Sequence, residues 1–394
     1  GRGMKAHFDL IAIGGGSGGL AVAEKAAEYG KRVAVVEARR LGGTCVNNGC
    51  VPKKVMWYAA SLAQAVDDAE HFGIPARRGA TDWTRLVRGR QDYIAMINRY
   101  WDGYVEGRGI TRIDGAARFV DAHVIEVDGA LYSADHLVVA TGGRPVVPPV
   151  RGAKLGITSD GFFALAEQPR RVAIIGAGYI GVELAGVLRA LGSEVSILAL
   201  EARVLETFDP MIGEVLMGEM RKQGIELHMG LRVAGLTKTA GVMAVDALGG
   251  ERLDGFDTVI WAVGRAPDTG GLKLERAGVE TRADGIVPTD AYQNTNVAGV
   301  YAIGDVTGRS PLTPVAIAAG RRLAARLFGG QPDSRVDYEG VPSVVFAHPP
   351  VATVGLTEPQ ARARHEKVNV YRSAFTPMRH ALSPHGSTTA VKLV

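Results

Sequence analysis

One order of elements occurs twice in this chain: an apolar strand, a glycine turn, a helix and a second strand. The first copy runs through Phe8-Asp9-Leu10-Ile11-Ala12-Ile13 into Gly14-Gly15-Gly16-Ser17-Gly18-Gly19. An alanine-rich helical stretch to Tyr29 and then Val33-Ala34-Val35-Val36-Glu37 complete it. The second runs through Val172-Ala173-Ile174-Ile175 and Gly176-Ala177-Gly178-Tyr179-Ile180-Gly181, a helical stretch to about Leu191, and Val195-Ser196-Ile197-Leu198. A lone G-x-G-x-x-G commonly makes only a turn, but flanking strands and a helix turn it into a specific dinucleotide signal. The tight turn and the close approach of a pyrophosphate leave no room for a side chain, and the helix N-terminus stabilises the phosphate charge. Two copies predict two bound dinucleotides.

The copies differ where an acid should sit. Glu37 closes the first copy roughly 20 residues after its first glycine, placed to bond a ribose hydroxyl pair. The matching position in the second copy is Ala199, and Glu201, Arg203 and Glu206 follow. A 2′-phosphate favours arginine, so one arginine between two acids predicts NADH over NADPH. The other reading, solvated loop charges with Arg203 sufficing for the phosphate, stays open. Two further apolar strands end in glycine turns, Leu137 to Gly143 and Val300 to Asp305, as suits a ligand lying across the carboxyl edge of a sheet. The fold class is therefore α/β, with two Rossmann-like dinucleotide-binding domains.

The only two cysteines, Cys45 and Cys50, share the segment Gly42-Gly43-Thr44-Cys45-Val46-Asn47-Asn48-Gly49-Cys50-Val51-Pro52-Lys53-Lys54. Two cysteines make no disulfide framework for 394 residues. No histidine stands at zinc-ligand spacing from them, so the pair reads as redox-active and no metal site is expected. The 45 basic and 41 acidic residues are interspersed, which argues against nucleic acid as a partner. The apolar runs are too short to span a bilayer, and the N-terminal stretch is unlike a signal sequence, so no membrane role and a cytoplasmic location are expected.

The Gly-Gly-Thr-Cys-x4-Cys-Val-Pro-Lys-Lys segment, both fingerprints, Ala140-Thr141-Gly142, Gly304-Asp305 and the run from Val345 to Glu358 resemble the glutathione reductase family of FAD-dependent pyridine nucleotide-disulfide oxidoreductases. The resemblance covers nearly the whole chain. Related dihydrolipoamide dehydrogenases and mercuric reductases typically carry Pro-Ser-Lys where this chain has Pro52-Lys53-Lys54. The resemblance implies FAD at Gly14, Gly16, Ser17, Gly19, Glu37, Thr44, Thr141, Gly142, Gly304, Asp305 and Thr313. It implies the nicotinamide cofactor at Gly176, Gly178, Gly181, Glu201, Gly264 and Arg265. Tyr179 matches a tyrosine that covers the flavin until nicotinamide displaces it, and Lys53 and Glu183 match an ion pair beside the flavin ring. By the same resemblance Cys50 stays against the flavin as a charge-transfer thiolate while Cys45 attacks the substrate disulfide. Lys53 and a helix starting near Val51, with Pro52 in its first turn, are placed to favour the thiolate.

The chain departs from the family at three places. Asn48 stands between the cysteines where valine is usual. Glu24 replaces the arginine or asparagine that faces the glycine carboxylate of glutathione; two like charges about 4 Å apart repel by roughly 4 kcal/mol at an effective dielectric near 20. An amidated substrate would instead donate a hydrogen bond to Glu24. With the NADH-like second fingerprint and with Trp101 in place of a tyrosine, this makes the chain similar to the glutathione-amide reductase subgroup. The alternative reading keeps Glu24 as one more exposed helix charge near Lys25 and Glu28. Arg321 and Tyr93 match further residues of the substrate cleft. Thirdly, the family's acid/base histidine, in a His-Pro-x3-Glu-Glu segment from the partner subunit, would fall beyond Val394. His348, His380 and His385 do not replace it, and much of the homodimer interface is expected to lie outside the sequence as well.

The expected domains are an FAD-binding domain of 4–144 and 268–338, a nicotinamide-binding domain of 145–267, and a partial α+β dimer-interface domain of 339–394. The expected function is electron transfer from NADH or NADPH through FAD and Cys45–Cys50 to a low-molecular-weight disulfide, glutathione disulfide or its amide. A related reductase with another acceptor, such as mercuric ion, and a flavin-binding redox sensor without turnover are the alternatives.

Overall fold

The structure, a computed structural model, describes residues 3–394. These divide into two compact units. One holds the residues up to Pro52 with Gln91–Arg144 and Arg265–Glu339; the other holds Lys53–Arg90, Pro145–Gly264 and Gly340–Val394.

The first unit is built on a seven-stranded sheet. Met4–Ile13 lies between Val33–Glu37 and Ala130–Val139, parallel to both, with Ile11 opposite Ala34 and Leu137. Thr111–Asp114 extends one edge, Val300–Ala302 pairs with the end of Ala130–Val139, and the antiparallel strands Val124–Val127 and Ala117–Asp121 finish the other edge. The unbroken apolar run at 10–13 is what a central parallel strand covered on both faces requires. Ile11 and Ile13 join one core with Leu137, Val139 and Val300. Leu10 and Ala12 join the opposite one with Leu20, Val35, Val138 and Leu323. Helices Ser17–Glu28 and Thr313–Phe328 cross so closely that a Cβ on Gly320 would stand 2.8 Å from the carbonyl oxygen of Gly18.

The second unit holds a four-stranded parallel sheet in the order Glu226–Met229, Glu194–Ala199, Arg171–Ile175, Thr258–Trp261. A three-stranded antiparallel sheet, Val233–Thr239, Val242–Ala247 and Arg252–Phe256, accompanies it. Helix Tyr179–Ala190 is buried along most of its length because Val182, Leu184, Ala185, Val187 and Leu188 pack into the core of this unit. Met56, Ala60 and Ala63, from helix Cys50–Ala69, pack into the same core, as do Val345 and Ala347. That packing explains why 53–90 and 340–394 group with this unit. The 340–394 segment carries two hairpins, Ser343–Val345 with Val351–Thr353 and Tyr371–Phe375 with Thr389–Leu393, and helix Glu358–Arg364. Among the described residues no helix is long and apolar enough to cross a membrane.

Candidate active site

The glycines of the two turns fall into two kinds. Gly14 and Gly176 have φ of +111° and +123°, and a Cβ on them would lie 2.2 Å from the Ala140 oxygen and 1.9 Å from the Ala262 oxygen. Gly19 and Gly181 pack against the carbonyls of Gly14 and Gly176 just as tightly, at 1.8 and 2.6 Å. Folding alone demands glycine at these four. Gly16 and Gly178 are different. Both have ordinary negative φ; a Cβ on Gly16 would meet only Gly43 Cα, at 3.7 Å, and one on Gly178 would meet nothing within 4 Å. The protein leaves open the space such a side chain would fill, in front of a helix N-terminus, so both turns fit a dinucleotide pyrophosphate.

Glu37 closes the first turn. Its carboxylate accepts the Gly15 N–H at 2.7 Å and the Arg39 N–H at 3.0 Å. In the second copy Ala199 is buried at the strand end, while Glu201 and Glu206 are exposed beyond it and Arg203 is half-buried.

The redox segment is held by amides. Asn98 Nδ2 donates to the Leu41 carbonyl (3.1 Å) and to Asn47 Oδ1 (3.0 Å), and Asn47 Nδ2 donates to the Gly43 carbonyl (2.9 Å). Cys45 lies in the short helix Gly43–Asn48, Gly49 breaks the chain direction, and Cys50 opens helix Cys50–Ala69. The helix therefore starts one residue before the expected Val51, which puts the Cys50 sulfur at its positive end. Both cysteines are thiols in this structure. A hydrogen bond to Cys50 and burial push the Cys45 thiol up, and the hydroxyls of Thr313 and Ser17 pull the other way. Thr313 Oγ1 is also 3.5 Å from Cys50 Sγ, and Thr313 is the first residue of helix Thr313–Phe328. Burial and the neighbouring Cys50 thus favour the protonated form of Cys45.

The strand-end residues of the first unit have defined tasks. Thr141 Oγ1 donates to the Asp268 carbonyl at 2.7 Å, the Asp268 N–H donates to the Gly142 carbonyl at 2.8 Å, and Arg265 donates to the Gly143 carbonyl at 3.0 Å. Asp305 follows Gly304 (φ +75°), and burial raises its carboxyl although Arg265 opposes the shift. A carboxylate so placed suits hydroxyl donors of a ribityl chain. Thr44 is exposed, and Gly264 (φ +133°) has open space around it.

In the second unit Lys53 Nζ pairs with Glu183 Oε2 at 3.1 Å. The same oxygen accepts the Phe346 N–H at 2.8 Å, and the Lys53 and Lys54 ammoniums stand over the Phe346 ring. The charge of Lys53 is thus balanced by a carboxylate. Tyr179 opens its helix and is about two-fifths exposed, at 38%.

Of the expected substrate residues, Glu24 is half-buried near Tyr104, whose hydroxyl burial and the Glu24 carboxylate push up, while Lys25 turns to Glu28 at 3.0 Å and feels the charge of Arg321. Trp101 sits edge-on to Tyr100 and Tyr104 and packs on the core beside helix Ser17–Glu28; Tyr93 is exposed on the same helix, Trp83–Gly107, about two turns earlier. Tyr104 and Asn98 had no signal in the sequence, because each acts on residues far from it along the chain. His348 is buried, stacks on Trp57 and bonds Ser61 Oγ through Nε2 at 3.0 Å, in keeping with a structural role.

Residues 8–320 match the pyridine nucleotide-disulphide oxidoreductase family, and residues 341–394 match its dimerisation domain. The chain belongs to this family. It is similar to glutathione reductase of Schizosaccharomyces pombe, 45% identical over 388 residues that cover 95% of this chain and 83% of the other. Glutathione reductase of Yarrowia lipolytica is 41% identical over 409 residues, covering 98% and 87%. Among solved structures it is similar to the HOCl-induced flavoprotein disulfide reductase RclA of Escherichia coli. That likeness has a TM-score of 0.86, or 0.87 for the Cu(II) complex, with 26% identity in each case over 98% of this chain and 86% of that one. As an oxidoreductase of this family, the protein uses NAD(P)H to reduce a disulfide by way of FAD.

Proposed function

We propose that the electrons leave through Cys45 and Cys50 and that the acceptor is a glutathione-type disulfide, with NADH preferred as donor. The observation that carries the reading is the thiol pair itself, with Cys45 hydrogen-bonded to Cys50 and Cys50 3.5 Å from the Thr313 hydroxyl. FAD, which the first glycine turn, Glu37 and Asp305 would hold, would supply the electron pair from the nicotinamide that opens the Cys45–Cys50 disulfide. The S–S bond then breaks, Cys50 keeps one electron pair as the thiolate, and Cys45 takes a proton. Loss of that proton lets Cys45 attack the substrate disulfide, forming a mixed disulfide and expelling one thiol as its thiolate. Cys50 attacks the Cys45 sulfur, the second thiol departs, and the internal disulfide is restored. Two protons, one from NAD(P)H and one from solvent, end on the two product thiols. Since the attacking group is a thiolate, the raised Cys45 calls for a base when substrate is engaged.

Glutathione as the acceptor follows the names of the two yeast relatives. Glu24, a carboxylate beside Tyr104, supports an amidated form, because an amide N–H can donate to it where a carboxylate would be repelled. The exposed Glu201 and Glu206 around Arg203 support NADH, since a 2′-phosphate would meet two like charges. The dimerisation-domain match over 341–394 supports a homodimer. Rapid-mixing reduction by NADH and NADPH, followed by reoxidation with glutathione disulfide or its amide, tests the acceptor and the donor. The reading expects faster reduction by NADH at limiting concentration and faster reoxidation by the amide; the reverse orders refute the two preferences.

A further inference from the structure

Asp209 is a buried carboxylate with four contacts, one from its own helix and three from two distant stretches of the chain. It precedes helix Pro210–Lys222, and its Oδ1 accepts the Met211 N–H at 2.9 Å as a helix cap. Its Oδ2 accepts the Glu358 N–H at 2.9 Å, and Lys392 Nζ donates to both oxygens at 2.9 and 3.0 Å. Lys392, only 6% exposed, also reaches Glu358 Oε2 at 2.5 Å, and Arg362 and Arg372 complete the shell of Glu358. Burying such charges costs solvation that hydrophobic residues of the same volume would not, so the cluster is poorly explained by stability alone. A fixed geometry is the better account.

The segment between Ala199 and Pro210 leads into this cluster. The Glu201 carbonyl accepts the Gly230 N–H at 3.0 Å, and the Leu205 N–H donates at 2.8 Å to the carbonyl of Ala177, inside the second glycine turn. Leu205 has φ of +51°, a conformation a leucine keeps only where its surroundings over-determine it. Leu205 and Val204 are buried, Glu201 and Glu206 face outward, and the segment ends on Asp209.

We propose that Asp209, Lys392 and Glu358 form a positioning cluster for this loop, through which the 341–394 segment sets the affinity for the nicotinamide cofactor. The proposal rests on the reading that Glu201 and Arg203 face the adenosine ribose. Calorimetric titration of the FAD-loaded protein with NAD+ and NADP+, which bind without reducing it, gives the affinities, and rapid mixing with NADH gives the limiting reduction rate. Lys392→Met is expected to weaken NAD+ about tenfold, within the range by which coupled networks alter distant sites, with the limiting rate within about twofold of wild type. Lys392→Arg is expected to restore binding to within about threefold, a rescue that mere packing would not give to a longer side chain. Asp209→Asn keeps the helix cap while removing the charge, so it reports on the network should Lys392→Met not fold; it is expected to weaken NAD+ about threefold or more. Glu201→Gln and Arg203→Ala separate the two claims. Unchanged affinities in these would end the ribose reading. Altered affinities there, with Lys392→Met and Asp209→Asn folded and binding as wild type does, would overturn the positioning proposal.

Discussion

Lys53 Nζ stands 3.1 Å from Glu183 Oε2, and the carboxylate is buried to 1% exposure. Removing one member of such a pair leaves the other charged in a poorly solvated place, which typically costs about 3–5 kcal/mol, whereas removing both is often near neutral. Lys53→Met is therefore expected to lose about 3 kcal/mol in denaturant unfolding, and the double variant Lys53→Met, Glu183→Leu to recover much of it. Equal losses in single and double variants would mean that the pair contributes no coupling.

The two kinds of turn glycine should respond oppositely to alanine. Gly176→Ala forces a Cβ to 1.9 Å from a carbonyl oxygen at φ +123° and should leave little folded protein. Gly178→Ala meets nothing within 4 Å, so it should fold as wild type does yet bind NAD+ more weakly, by about tenfold or more. Thermal melting and cofactor titration decide it; unimpaired binding in Gly178→Ala would leave that open space without a ligand.

The thiols make a prediction about reactivity. Cys50 is the first cause of the raised Cys45, so Cys50→Ser removes a neighbouring negative charge and the bond that holds the Cys45 proton. Cys45 in this variant should alkylate at least about tenfold faster near neutral pH than Cys45 of the reduced wild type, one pKa unit being worth tenfold in thiolate. Peptide mapping after iodoacetamide gives the rate for each cysteine, and an unchanged or slower Cys45 would count against the assignment of charge to Cys50.

Acid should destabilise the protein before its carboxylates protonate. Burial lowers His348 from its ordinary 6.5 to about 4, despite a bond from the Trp57 side that favours the charged ring. Between these values the unfolded chain binds a proton that the folded one refuses, so stability falls as pH falls from 6.5 through 4, by roughly 3 kcal/mol in all. Asp209 and Glu358 are held low, Glu358 to about 2 by Lys392 and Arg362, so their contribution is lost only further down. Unfolding free energies from pH 7 to 4.5 should slope in wild type and flatten in His348→Gln; identical slopes would show that His348 does not govern this range.

Local chemistry made much of this legible in the sequence. Gly19 and Gly181 pack on the carbonyls of Gly14 and Gly176 within one strand–turn–helix unit, and Cys45 and Cys50 are five positions apart, so both motifs can be read from short windows. Glu24 with Tyr104, Asn47 with Asn98 and Asp209 with Lys392 cannot. Each pair joins residues that only the finished fold brings together, and an Asn or Asp looks the same in a sequence whether solvated or buried. The grouping of 53–90 with the nicotinamide-side core is of the same kind, since it depends on Met56 and Ala60 finding Leu184 and Leu188.

The account stands most directly on the thiol count after reduction. The oxidised, FAD-loaded protein should show no thiol to a chromogenic disulfide reagent under native conditions, and anaerobic addition of NADH or NADPH should expose two per chain; Cys45→Ser and Cys50→Ser controls, each left with one unpaired cysteine, should show no gain on reduction. Reduction of the flavin by either cofactor with no new thiol would contradict the claim that Cys45 and Cys50 carry the electrons to substrate.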